Sequence, residues 1–342
     1  VIEAEEIARK TGYSRPHTVH CGPEGIYVSA LGSPDGGGPG GVFLMDHTTF
    51  DIIGPWEKER GPQHLAYDAA WHLTQDVMIT SEWGTPNMVE NGLDPAILMA
   101  KGYGRQIHMW DLRRRKHQQA LPVGEDDQMT LELRPAHDPR KSYGFLGVVV
   151  SLKDLSSSIW VWHRQQGNGS WAVRKVIEIP AEPADPDLLP PALKPFGAVP
   201  PLVSDIDLSV DDRFLYVSCW GTGELRQYDV SDPFQPRQTG SVHLGGIVRH
   251  AAHPGSGPLN GGPQMVEVSR DGRRVYFTNS LYIPWDEQFY PEGIKGWMVR
   301  LDARPEGGIT PDPGFFLEFE GERPHQVRLQ GGDASSDSYC FP

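Results

Sequence analysis

Cysteine is scarce in this sequence: Cys21, Cys219 and Cys340 are the only three in 342 residues, and they lie far apart. That excludes a scaffold built on disulfides. No apolar run is long enough to cross a membrane as a helix. The opening VIEAEEIARKTG shows no leader pattern. It has no initiating Met and runs straight into a structured pattern, so a processed or N-terminally shortened chain is expected. Positive charge is also short, with 31 Lys and Arg against 45 Asp and Glu and a formal charge of −14. Such a field repels nucleic acid. The one basic run, residues 113–116, reads as a solvated turn after a strand. GxSxG, HExxH, CxxC, phosphate-loop and dinucleotide motifs are all missing, which argues against the common hydrolases, zincins and nicotinamide enzymes.

What is present is a repeat. Five times a hydrophobic strand, a bend and a second strand follow one another: GIYVSALG to VFLMD, DVMITSEW to QIHMWD, YGFLGVVV to IWVWH, RFLYVSCW to ELRQYD, and RVYFTNSL to WMVRLD. Strand pairs recurring at about this 50–75-residue period mark radial blades. One unit cannot bury both of its faces, so neighbours must stack. The expected fold is all-β, a single β-propeller domain over residues 1–342 with five recognisable blades. Gly (39), Pro (31) and Trp (10) are abundant, which suits many turns and flat side chains between stacked sheets. The Pro-rich segment 181–202 carries Leu, Phe and Val throughout, and is expected to lie over the ring. The late Asp46, Asp111, Asp229 and Asp302 fall where strands end and are expected to cap turns.

The chemistry must come from residues that a ring brings together. His17 and His20, at i and i+3 beside Cys21, can converge on one metal if the backbone turns. Imidazole and thiolate both suit copper or zinc. Ordinary loop histidines are the alternative. His137 and His325 occupy comparable positions near strand starts, and a propeller gathers such positions about its axis. Glu82 lies inside a hydrophobic strand, where a charge must be paired or bound. It stands with His72 and Asp68 as a candidate for acid–base work. Asp205 and Asp207 complete the carboxylates expected on that face.

Four stretches, HTVHCGPEGIYVSALG, VSCWGTGELRQYDVSDP, SLYIPWDEQFYP and HQVRLQGGDASSD, resemble the selenium-binding protein family, which includes the methanethiol oxidases. The likeness runs along nearly the whole chain. It implies a seven-bladed, WD40-like ring and a copper cofactor. It also implies oxidation of methanethiol by dioxygen and water to formaldehyde, hydrogen sulfide and hydrogen peroxide. By the same resemblance His17, His20, His137 and His325 are the copper ligands, and Glu82 is an acid–base or supporting group. The family pattern begins with a further N-terminal portion carrying paired histidines and cysteines. About two blades and part of the copper shell are therefore implied to lie outside this chain. The expected partners are a small thiol, dioxygen, and either a separate N-terminal piece or a second copy in a homo-oligomer. A cytoplasmic and a periplasmic location are equally compatible. Two rival readings stay open: a non-enzymatic selenium- or metal-binding propeller acting as an interaction platform, and a lactonase-like hydrolase built on a hard metal.

Overall fold

The computed structural model describes residues 1–167 and 169–336, so Cys340 lies outside the described residues. A short helix, α1 (Ala4–Thr11), has Glu5 and Glu6 in its first turn and Arg9 and Lys10 in its last. That order suits the helix dipole. Gly12 ends it in the left-handed conformation at φ 78°, which glycine adopts without penalty.

The described residues then form five four-stranded antiparallel sheets, each from four consecutive strands. The first holds β1 (Ser14–Gly22), β2 (Gly25–Gly32), β3 (Gly41–Met45) and β4 (Ile52–Pro55). The second holds β5 (Ala69–His72), β6 (Val77–Thr80), β7 (Gln106–Asp111) and β8 (Lys116–Pro122). The third runs through β9 (Asp127–Pro135), β10 (Tyr143–Ser151), β11 (Ser157–Arg164) and β12 (Trp171–Ile179). A two-stranded hairpin, β13 (Glu182–Pro183) and β14 (Ala198–Val199), interrupts the series. The fourth sheet is β15 (Val203–Leu208), β16 (Phe214–Cys219), β17 (Glu224–Asp229) and β18 (Arg237–His243). The fifth is β19 (Val266–Val268), β20 (Arg274–Thr278), β21 (Gly296–Ala303) and β22 (Ile309–Phe319).

Each strand pair read from the sequence is the second and third strand of one sheet, with Ile26 opposite Met45, Phe214 opposite Asp229 and Arg274 opposite Asp302. Three of the four late aspartates cap turns. Asp46 accepts from the Thr48 and Thr49 N–H groups, Asp111 from Arg114 and Asp229 from Ser231, at 2.7–3.0 Å. Asp302 is exposed instead.

Four clusters fill the joints between successive sheets. Tyr27, Trp56, Trp71 and Trp110 close the first joint. Met109, Leu146, Trp162 and Trp171 close the second. Ile159, Ile206 and Leu215 close the third, and Tyr216, Phe277 and Trp297 the fourth. A buried Trp removes about 150–250 Å² from water, which contributes roughly 4–6 kcal/mol of transfer free energy.

The innermost strands do not pair with one another, so their free N–H groups need acceptors. Carboxylates from the preceding sheet supply them. Asp68 accepts from the Leu133 N–H (2.9 Å), Asp205 from Val266 (2.7 Å) and Asp207 from Val268 (2.9 Å). Arg134 stands among Glu132 (3.2 Å), Asp205 (3.1 Å), Asp207 (3.6 Å) and Asp68 (3.9 Å). One guanidinium does not balance so many buried carboxylates. Burial accordingly pushes Glu132 up to about 7 and Glu267 up to about 8. Burial also raises Asp205 and Asp207, against the pull of Arg134. Part of this network holds protons at neutral pH.

Candidate functional site

At the end of the ring where the innermost strands begin, the largest apolar cluster surrounds a cavity of about 270 Å³. The backbone around it is strained in a repeated way. Arg15, Met129 and Leu202 all line the cavity and all have positive φ, at 56°, 62° and 51°. Beside each, the pairing register of an inner strand shifts. Such bulges re-aim side chains. Holding a bulky residue in the left-handed region costs about 1–3 kcal/mol. Three such positions around one void concentrate strain where function is expected.

Two insertions roof the cavity. The segment between β6 and β7 contains α2 (Pro86–Val89) and α3 (Pro95–Met99), with Asp94 capping α3 through the Ala96 and Ile97 N–H groups. The segment between β20 and β21 contains α4 (Ile283–Phe289). They clasp each other. The Trp285 Nε1–H donates to the Val89 carbonyl (2.9 Å), and Gln288 exchanges two hydrogen bonds with the backbone of Leu93 (2.8 and 3.0 Å). Trp83 packs on Trp285 at 5.4 Å between ring centres. From the segment 181–202, Leu189, Leu193, Val199 and Leu202 join the same buried cluster.

His17 and His325 both line this cavity. His17 lies in the β1 bulge, its Nδ1 3.0 Å from Thr18 Oγ1 and its ring against Tyr67 at 4.1 Å. Burial lowers its pKa to about 4; the charge of His325 adds to this and Asp68 opposes it. His17 is therefore a neutral imidazole at pH 7, the form that binds metals. His325 is exposed at the cavity mouth. Its carbonyl accepts from the Thr278 hydroxyl (2.6 Å), and its Nδ1 lies 3.1 Å from the Ser280 carbonyl. A carbonyl only accepts, so Nδ1 carries the proton and Nε2 is the lone-pair nitrogen of the neutral ring. Tyr67 donates its hydroxyl to Glu132 (2.9 Å), which links the cavity wall to the axial network. Arg15 grips Glu90 with two bonds (2.5 and 3.1 Å) at the rim.

The sequence matches the family model described as 56kDa selenium binding protein (SBP56) over residues 1–340. The chain belongs to that family. A hypothetical selenium-binding protein from Sulfolobus tokodaii, known as a solved structure, is 59% identical, with a TM-score of 0.96 over all of this chain and 74% of that one. The methanethiol oxidase of Bos taurus is 38% identical over 98% of this chain and 74% of its own length. Selenium-binding protein 2 of Mus musculus is 39% identical over the same shares. A protein from Lactobacillus plantarum shares the fold alone, at 11% identity and a TM-score of 0.52 over 88% of this chain and 70% of that one.

Of the four histidines expected to meet, His17 and His325 line the cavity and His20 and His137 do not. His20 turns into the first joint, edge-on to Trp71 at 5.6 Å, and does not line the cavity. His137 uses both ring nitrogens elsewhere, on Asp212 Oδ1 (3.0 Å) and the Ser335 carbonyl (3.1 Å). The three acid–base candidates are likewise committed to structure. His72 Nε2 donates to the Lys141 carbonyl (2.6 Å). Asp68 holds the Ala69 and Leu133 N–H groups. Glu82 is buried just past the end of β6, bridged to Thr130 of β9, and accepts from His108 Nε2 (2.9 Å), while His108 Nδ1 meets His117 Nε2 at 3.0 Å. None of the three lines the cavity. Among the described residues, the one group of three or more possible ligands within 4.8 Å is Glu182, Glu224 and His243. Its carboxylates already pair with Arg249 (2.6 Å) and Arg226 (2.7 Å). No helix is long and apolar enough to cross a membrane, among the described residues.

Arg15, Glu90, Tyr67 and Tyr282 are the cavity residues that sequence reasoning missed. The signal for Arg15 and Tyr67 was their closeness to His17 and Asp68. Nothing in the sequence marked Glu90 or Tyr282, which lie in or beside the roof insertions.

Proposed function

We propose that this cavity oxidises methanethiol with dioxygen and water to formaldehyde, hydrogen sulfide and hydrogen peroxide, with copper as cofactor. The observation that carries the reading is a pair of imidazoles, His17 and His325, lining one aromatic-walled cavity, in a chain akin to proteins named methanethiol oxidase. Neutral imidazole is a good copper donor, and His17 is held neutral by burial. His17 and His325 would hold the ion from this chain's side. When bound, copper supplies affinity for a thiolate sulfur and electron exchange with dioxygen.

The remaining work falls to the chain. Trp83, Trp220 and Trp285 keep water off the reacting atoms and give the cavity an apolar wall. The Tyr67 ring fixes the plane of His17 while its proton is committed to Glu132. The closed Arg15–Glu90 pair keeps net charge out of the mouth. The Nδ1 proton of His325, pinned on Ser280, sets which nitrogen faces a ligand.

The test is copper-loaded protein given methanethiol under air, with peroxide and formaldehyde measured together. Equal amounts of both support the reading, and so does their loss in His17→Ala and His325→Ala. A loaded protein that consumes no thiol would sink it.

A further inference from the structure

The cavity is too large for its proposed substrate. Methanethiol has two heavy atoms, and a void of about 270 Å³ well exceeds the engineered cavity of roughly 150 Å³ that takes up benzene. A two-atom ligand leaves most wall atoms without a partner and forfeits their dispersion energy. The roof is clasped by the Trp285–Val89 and Gln288–Leu93 bonds, so the space is preformed. Its walls are Leu31, Leu131, Val149, Trp83 and Trp220, and the one ion pair at the rim, Arg15–Glu90, is closed on itself. Beyond the two imidazoles, the described wall residues offer no lysine, arginine or carboxylate outside that closed pair to hold a substrate carboxylate or ammonium, and burying such a group unpaired is costly.

We propose that the site is built for primary thiols, R–CH2–SH, whose R is uncharged and about the size of an aromatic ring. The proposal rests on the thiol-oxidase reading above and extends it to a substrate class. The sulfur is directed to the His17 and His325 end, and R fills the Trp and Leu wall. One thiol, one dioxygen and one water give one aldehyde R–CHO, one hydrogen sulfide and one hydrogen peroxide. The C–S bond breaks, a C=O bond forms to the oxygen of water, carbon gives up two electrons, and dioxygen takes them with two protons.

Binding is read from the fluorescence of the cavity tryptophans in the purified full chain. The ligands are benzyl thiol, methanethiol, thioglycolate and toluene, and peroxide and aldehyde are followed in parallel. Benzyl thiol is expected to bind at least about tenfold tighter than methanethiol, as pocket-filling apolar groups do. Toluene should compete with it, and thioglycolate should not. Val149→Phe, or Leu131→Phe if the first fails to fold, should shrink that tenfold preference to near one. Equal affinity for benzyl thiol and methanethiol in the unmodified protein would overturn the proposal, as would a preference that survives both substitutions. If ring-sized ligands bind as stated but no thiol yields aldehyde, the size assignment stands and the oxidase reading fails.

Discussion

Arg134→Met removes the guanidinium that stands among the axial carboxylates. In the native protein its contacts reach Glu132, Asp205, Asp207 and Asp68 at 3.1–3.9 Å. Breaking a buried ion pair from one side costs about 3–5 kcal/mol, because the other charge is left uncompensated. For a chain of this size that lowers the unfolding midpoint by roughly 4–7 °C. The cost must depend on pH. Glu132 and Glu267 are raised in the folded protein, to about 7 and about 8 from 4.5. A carboxyl raised on folding binds more protons folded than unfolded between those values. Its favourable contribution is therefore complete below about pH 4.5 and is lost as pH rises through 7–8. Without Arg134 these groups take up protons more readily still. The deficit of the variant should be large at pH 8 and clearly smaller at pH 5. Arg134→Lys should fall between, since it keeps the charge but not the planar fork. Scanning calorimetry of the three proteins at both pH values gives the answer. A deficit below about 1 kcal/mol, well under the cost of an uncompensated buried charge, or one equal at both pH values, would refute the idea that Arg134 offsets ionised carboxylates there.

Three further outcomes follow from the same geometry. Glu82→Gln places an amide opposite His108 Nε2, Gln106 Nε2 and the Arg105 N–H; a loss of about 1–3 kcal/mol is expected by denaturant titration, with copper content unchanged. Asp212→Ala frees His137, Lys141 and the Asp138 N–H, and should cost about 2–3 kcal/mol while binding copper normally, which sets His137 apart from the metal. Trp285→Ala unfastens the roof and should cost about 3–5 kcal/mol; hydrogen exchange should rise in residues 86–93, and unchanged exchange there would show that the clasp does not hold the lid.

The middle strands of every sheet were legible because their apolar content is dense. GIYVSALG and FLYVSC are wholly buried in the structure, so burial on both faces writes itself into the sequence. The outer strands were harder. β18 and β22 are largely part-exposed or exposed, and their mixed composition matches many loops. The site was legible only in part. His17 and His325 stood out as imidazoles in suitable places, yet nothing local separates them from His20 and His137. What separates them is the bulge that aims His17 inward and the Asp212 carboxylate that occupies His137, and both depend on neighbours distant in sequence. Glu82 stood out as a buried acid that must be paired or bound, but its partner, His108, lies 26 positions away on β7.

The proposed chemistry requires that His17 and His325 face one copper ion. An anomalous-scattering map of copper-soaked crystals, recorded at the copper edge, asks this without any assay of turnover. A single strong peak in bonding contact with both imidazoles is expected, absent when either is alanine. A peak at His20 or His137 instead, or at Glu182, Glu224 and His243, would contradict it.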